Sequence, residues 1–216
     1  MVFKKGVSDI IAAVMIVAIA FGLTSTAYLW GVPLIQKRQE ASLTEKIYGQ
    51  FLQTNQNSLP KIIEDVANNR GVRSFTVSTD GTWELNEAED WIEFTFTSKT
   101  SNIASGTVNP ISLTPGVQCT PSPSPPTGTL GQDSSSVVCA SAANLGNVFE
   151  IKYRVWFREL HDNPFSPKQT FDIDLEKDAG LTSSSGRTVR MTFSESTQQA
   201  IGQQTLITKK IKILLI

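Results

Sequence analysis

The stretch Ile10–Ile35 reads IIAAVMIVAIAFGLTSTAYLWGVPLI, and no charged side chain occurs from Ile10 to Gln36. A helix built on these residues is apolar on every face, so it has no polar side to turn toward water. At about 1.5 Å of rise per residue it spans on the order of 40 Å, more than the roughly 30 Å hydrocarbon core of a bilayer. The stretch is therefore expected to form a membrane-crossing helix. Tyr28 and Trp30 near its distal end suit an interfacial belt, and Lys37 and Arg38 follow as the chain emerges.

Three readings compete for such a segment: a cleaved secretory signal, a plain membrane anchor, and a leader followed by a helix kept on the mature protein. A secretory signal has an apolar region of about 7–15 residues with a small-residue cleavage motif beyond it. Here the apolar run is far longer, and Gln36-Lys37-Arg38-Gln39 follows it. Ahead of the run stands MVFKKG, with the basic pair Lys4 and Lys5 and then Gly6, directly before Val7-Ser8-Asp9.

Lys4-Lys5-Gly6 followed by VSDIIAAVMIVAIAFGLTSTAYLWG resembles the class III signal of archaeal type IV pilins and archaellum-related proteins. The resemblance extends to about Ile35 and not beyond. It implies a membrane-embedded prepilin peptidase as processing partner, with cleavage between Gly6 and Val7 and the apolar helix retained. It further implies association with copies of itself or related pilins through that helix, first in the membrane and then in an extracellular filament. Bacterial type IV pilins carry a glutamate four residues beyond the first mature residue, where this chain has Ile11. Asp9 is the nearest acid; it either stands in for that glutamate or is a helix N-terminal acid favoured by the dipole. The departure favours the archaeal form of assembly.

Beyond Gly31-Val32-Pro33, where proline removes a backbone donor and a bend is expected, the helix continues as an amphipathic extension to about Thr54. Leu43, Ile47 and Phe51 recur at helical spacing with Tyr48 and Leu52 beside them, a stripe expected to pack on the chain's own domain. Asn55-Gln56-Asn57-Ser58 breaks the helix. Ser58 is then a candidate N-cap for a short second helix with Leu59, Ile62, Ile63 and Val66 on its apolar face, ending near Asn68-Asn69-Arg70-Gly71.

From Val72 the apolar period changes to two. Phe75 and Val77 alternate, Asp80-Gly81 reads as a hairpin turn, and Trp83 and Leu85 resume the pattern. Ile92, Phe94 and Phe96 mark another strand. The clearest one has Phe149, Ile151, Tyr153, Val155 and Phe157 on one face and Glu150, Lys152, Arg154 and Arg158 on the other. Further strands are expected over residues 171–175, 189–193 and 206–215, seven or eight in all. The last, TLITKKIKILLI, is apolar enough that it must pair inside a sheet. The fold class is thus α+β: a long N-terminal transmembrane or filament-core helix followed by an antiparallel β-sandwich-like domain. The organisation is a leader over 1–6, the helix and its extension over 7–54, a linker and short helix over 55–71, and an extracellular β-rich domain over 72–216.

Within that domain, TPGVQCTPSPSPPTGTLGQDSSS, residues 114–136, is rich in proline, glycine and hydroxyl residues and reads as a surface loop. Cys119 and Cys139 flank most of it, in a part of the chain expected to be exported, where a disulfide persists. Joining them closes a loop of about 20 residues, worth roughly 3 kcal/mol in the chain-entropy model.

Little in the sequence points to chemistry. Lys+Arg 19 against Asp+Glu 20 leaves a formal charge of −1, so no global field draws the chain to nucleic acid. The one histidine, His161, has Asp162 as its only neighbouring acid and no serine in a nucleophile turn, and with two cysteines it makes no zinc ligand set. Asp172, Asp174 and Glu176 project from one side of a strand and are too spread for one calcium ion; a solvated face opposite Arg187, Arg190 or Lys152 is expected instead. Thr182–Arg187 lacks a phosphate-loop pattern and reads as a strand connection. No enzyme activity and no cofactor are expected. The function expected is that of a pilin-like structural subunit; the rivals are a non-polymerising anchored component of an archaellum, a surface-layer-binding protein, and an ecto-enzyme on a stalk.

Overall fold

A computed structural model of the chain describes residues 4–104, 109–120 and 122–216, with side chains from Ile10 onward. The N-terminal end of the leader, the side chains of Lys4, Lys5 and Val7, and Pro121 of the proline-rich loop lie outside the described residues. Two units are distinguished, Met1–Glu40 and Ala41–Ile216.

The first unit is a stretch of helix. α1 runs Lys4–Phe51 without interruption, with Pro33 inside it. From Ile10 to Trp30 every side chain is exposed.

The second unit begins with the last turns of α1, which end at Phe51, a turn earlier than Thr54. α2, Leu59–Asn69, follows with Pro60 in its first turn, where the missing N–H costs nothing. Ser58 holds the N-cap position with an extended backbone, but its side chain makes no cap bond. At the other end, within the expected Asn68-Asn69-Arg70-Gly71, Arg70 takes the left-handed cap (φ 54) and sends its N–H to the Val66 carbonyl at 3.0 Å.

Ten strands follow: β1 Val72–Asn86, β2 Trp91–Ser98, β3 Ile111–Ser112, β4 Thr127–Thr129, β5 Ser136–Asn144, β6 Phe149–Phe157, β7 Glu159–His161, β8 Gln169–Lys177, β9 Ser183–Ile201 and β10 Gln204–Leu215. They form one sheet in the order β3-β5-β6-β2-β1-β9-β10-β8-β7-β4. The sandwich expected from the alternating pattern is replaced by this single sheet, which curls. Nor is it wholly antiparallel, since β10 with β8 and β4 with β7 are parallel pairs. Six of the ten match expected strands, the two expected on either side of Asp80-Gly81 being the single β1; the nine-residue β5 lies outside the expectation, as do the short β3, β4 and β7.

Asp80-Gly81 is not a hairpin turn. β1 passes straight through it, with a register shift against β9 between Thr76 and Gly81. The glycine is needed for close approach, because a Cβ at position 81 would fall into the Phe94 ring and the Thr95 carbonyl. Asp80 is held by Arg187 across the strand pair, whose Nε and Nη2 donate to its carboxylate at 2.6 and 2.8 Å.

The core lies on the inner face of the curl. Phe75, Val77, Trp83 and Leu85 of β1, Ile92, Phe94 and Phe96 of β2, and Ile151, Tyr153 and Val155 of β6 are buried there with Val189, Met191, Ile211 and Ile213. Ile47 and Phe51 from the end of α1 and Leu59, Ile63 and Val66 from α2 complete it. β10 lies between β9 and β8, inside the sheet.

Candidate functional site

The feature that most needs a partner is α1. Residues from Ile10 onward are long and apolar enough to cross a membrane, and none of the most apolar window is buried by the chain itself. Two of its hydroxyls are satisfied within the helix: Thr24 and Thr26 donate to the Ala20 and Gly22 carbonyls at 2.7 and 2.8 Å. Such back-bonding suits an apolar surrounding. The position expected for cleavage, between Gly6 and Val7, falls where only the backbone is described, and there it is helical.

The C-terminal turns of α1 are fixed to the sheet. Phe51 is fully buried, its ring among Phe75 (6.0 Å between centroids), Phe94 (6.1 Å), Trp83 (6.3 Å) and Tyr153 (4.8 Å). One turn back Ile47 is also fully buried. Thr44, unremarked in the apolar stripe, is 1% exposed and shares a 3.2 Å hydrogen bond with Ser98. Gln50 donates to the Thr76 carbonyl at 3.0 Å and accepts from the Ser78 N–H at 3.3 Å. Gln53, just past the helix, donates to the Ser136 carbonyl.

On the outer face of β2, β5 and β6 a second cluster is buried: Trp91, Trp156, Val137 and Cys139 from the strands, with Val117 and Cys119 from the proline-rich segment laid over them. Cys119 and Cys139 are bonded, their Cα atoms 6.0 Å apart. The segment expected as a structureless surface loop thus contributes core residues, and it also supplies β4. Two buried faces explain why WIEF in β2 and VWF in β6 break alternation. Trp91 stands opposite Trp156, and Glu93 opposite Arg154, in the β2–β6 register. The Arg154 guanidinium lies over both indoles, 4.0 and 4.9 Å from their rings, and donates to Glu93 at 2.7 Å. Arg158, expected on the solvated face, is buried and donates to the Ser134 and Pro125 carbonyls.

A cleft of about 240 Å³ lies between α2, the residues after β4, and β8. Its polar groups answer one another. Glu64 accepts from Lys61 at 2.7 Å and from the hydroxyls of Ser134, Ser135 and Ser136 at 3.2, 2.9 and 2.9 Å, while Lys209 donates to Asn68 at 2.7 Å. Although burial opposes ionisation, the lysine and serine donors together hold the Glu64 carboxyl below its ordinary range. The arrangement ties α2 to the end of the stapled segment.

Asp174 and Glu176 of β8 find Lys210, on the parallel neighbour β10, rather than Arg187, Arg190 or Lys152. Its Nζ lies 2.8 Å from Glu176, 3.8 Å from Asp174 and 3.6 Å from Glu195. Asp90 behaves differently. It accepts the Leu175 N–H at 3.0 Å, while Glu87 accepts that of Lys177 at 2.9 Å, so two carboxyls from the β1–β2 turn take the place of a neighbouring strand. Burial, reinforced by the nearby Asp172 and Asp174 charges, pushes the Asp90 carboxyl up to about 7, and burial beside Glu159 raises Asp172 to about 6. Among the described residues no group of three His, Cys, Asp or Glu side chains could hold a metal ion. His161 ends β7, and its Nδ1 shares a 2.9 Å hydrogen bond with Thr170.

No protein-family model, curated protein or solved structure matches the chain. The functional reading therefore rests on the residues themselves.

Proposed function

We propose that the chain is a pilin-like structural subunit of an archaeal type IV pilus-type surface filament, serving adhesion or motility. The observation that carries this reading is the division of labour along α1. Thr44, Ile47 and Phe51 are locked into the β-rich unit, whereas Ile10–Trp30 has no cover from its own chain. A helix apolar all round and uncovered requires an apolar surrounding supplied from outside, either lipid or other helices of its kind. The leader Lys4-Lys5-Gly6 before Val7, by its resemblance to class III signals, supports processing by a prepilin peptidase and retention of the helix.

In this reading the chain inserts with its N-terminus cytoplasmic and the β-rich unit outside, and later passes into a filament core through the same helix. Ala12, Ala13, Ala18, Ala20, Gly22 and Ala27 let helix backbones approach closely in either setting. The bond between Cys119 and Cys139 accords with an oxidising exterior. The β-rich unit is then the displayed surface, and no catalytic or cofactor role is assigned to it.

Shearing surface filaments from cells and assaying both fractions for the chain tests the proposal. It predicts a substantial share in the sheared filaments. A chain confined to the envelope would instead identify a permanently anchored component of an archaellum or a surface-layer-binding protein.

A further inference from the structure

We propose that the edge of β9 from Glu195 to Ile201 is an interaction surface for a second copy of this chain, the two edges joining as antiparallel strands about a two-fold axis. This does not rest on the filament reading; it needs only two copies within reach.

The observation is an asymmetry in how β9 is paired. Toward β10 it is laddered from Val189, opposite Leu215, to Ile201, which faces Gln204. Toward β1 the ladder stops at Thr192, paired with Val72, and one further bond, from the Phe193 N–H to the Gly71 carbonyl at 3.0 Å, ends it. Among the described residues no strand pairs with Glu195–Ile201 on the side away from β10. Ser194 to Gln204 is exposed throughout. The register shift between Lys210 and Ile211 places a bulge near Ser194, where the paired part of β9 gives way to the open part.

The open part is nevertheless held extended. Gly202, with φ 65, begins the two-residue turn that closes the hairpin. On its far side β10 is in register with β8, Thr205 against Gln169 through Ile213 against Lys177. The outward amides and carbonyls of β9 are therefore already spaced as a strand requires, and ordering them costs an incoming strand little.

Natural edges are usually blunted by lysine, proline or inward charges. The sequence Glu195-Ser196-Thr197-Gln198-Gln199-Ala200-Ile201 has no lysine and no proline, and its one charge, Glu195, lies 3.6 Å from Lys210 of its own chain. The edge is thus uncharged in effect, and two of them do not repel. A second copy fits because the segment is complementary to itself about Gln198. In that register Glu195 faces Ile201, Ser196 faces Ala200, Thr197 faces Gln199, and the two Gln198 amides face each other as donor and acceptor. No like charges meet. The two remaining ends of the sheet, Ile111–Ser112 and Thr127–Thr129, are too short to serve the same purpose. So short a contact is weak between two molecules and gains strength where many copies are arrayed.

Cysteine cross-linking of the full chain in detergent micelles tests both the contact and its register. The described cysteines are paired with each other, so an introduced cysteine supplies the reactive thiol. Under mild oxidation Gln198→Cys is expected to give about tenfold more covalent dimer than Gln203→Cys at the hairpin tip, because only position 198 meets itself within disulfide range. Ser196→Cys and Ala200→Cys should each stay monomeric alone and cross-link when mixed. Gln198→Lys added to that mixture, placing two lysines opposite each other, should remove the product. Amide exchange over 195–201 should slow as protein concentration rises, which keeps the test decisive if a variant folds poorly. Equal cross-linking at all positions would mean collision or association through α1 and overturn the proposal. So would no dimer combined with concentration-independent exchange. Protection of the edge only on addition of a different envelope protein would assign it to another partner and overturn the self-pairing.

Discussion

The ring of Phe51, in the last turn of α1, stacks on Tyr153 of β6 with centroids 4.8 Å apart and planes inclined by 10°. Both side chains are fully buried, and Phe51 is also within ring contact of Phe75, Trp83 and Phe94. This is the junction at which a helix with no cover of its own becomes part of a folded unit. Truncating a fully buried phenylalanine typically costs about 3–5 kcal/mol. Phe51→Ala is expected to lose that much in urea unfolding monitored by tryptophan fluorescence, whereas Phe21→Ala, on the exposed part of α1, should leave the midpoint unchanged.

The stapled segment makes a separate prediction. The bond between Cys119 and Cys139 closes a sequence separation of 20 residues, and both cysteines share one buried cluster with Trp91 and Trp156. Replacing both cysteines with alanine should reduce stability by about 3 kcal/mol. It should also loosen the cover over the two indoles, read as a red shift and increased quenching of tryptophan emission. An unchanged spectrum in the folded double variant would show that the segment is held by Val117 and the Arg158 bonds instead.

Asp90 gives a pH dependence whose sign runs against the usual carboxylate pattern. Its folded value is raised to about 7 by burial and by Asp172 and Asp174, above the ordinary value of 3.8. The folded state therefore binds more protons between those values, and this contribution is full below about pH 4 and is lost as pH rises through about 7. Asp90→Asn keeps an acceptor for the Leu175 N–H without the charge. Urea unfolding across pH 4 to 8 should show a flatter profile in the variant and a gain over the parent at pH 8.

Glu64 has the opposite sign. Lysine and serine donors lower its value below 4.5, so its contribution is present above that pH and disappears as pH falls through the lower folded value. Glu64→Gln should destabilise by about 1–3 kcal/mol at pH 7, the range for losing a buried charged acceptor, and by less at pH 3. Equal losses at both pH values would mean that packing, not charge, accounts for the effect.

Much of the fold was legible where one local signal dominated. Ile10–Ile35 has no polar face, so only a helix with outside cover suits it. Ile151, Tyr153 and Val155 alternate strictly because β6 has one purely apolar inner face. Ile47 and Phe51 announced the packed stripe, though not Thr44, whose burial depends on Ser98 far along the chain. What stayed hidden was decided by distant partners. Asp80-Gly81 carries the chemistry of a hairpin turn, but the strand runs on through it, with Arg187 on Asp80 and the ring of Phe94 close to Gly81. Likewise the choice between two facing sheets and one curled sheet lies in which strands neighbour β9 and β10, and alternation within a strand carries no trace of that. The second cluster left a faint signal, Trp91 beside Ile92 and Val155 beside Trp156, where apolar residues sit on both faces.

Gly81→Ala isolates the close approach of β1 to Phe94. The added methyl meets the Phe94 ring and the Thr95 backbone, so the ring or the strand has to shift. Overpacking of this kind costs about 1–3 kcal/mol. Thermal unfolding of Gly81→Ala should show that loss, and pairing it with Phe94→Leu should recover part of it. Failure of the second change to recover anything would place the need for glycine in the backbone.

The proposed filament role requires that a leader ending at Gly6 is removed and the whole apolar helix is kept in an assembled filament. Intact-mass spectrometry of the chain recovered from sheared surface filaments tests it most directly. The expected result is a mature chain beginning at Val7, still containing Ile10–Ile35. A chain retaining Met1, found in the envelope and not in the filaments, would contradict it.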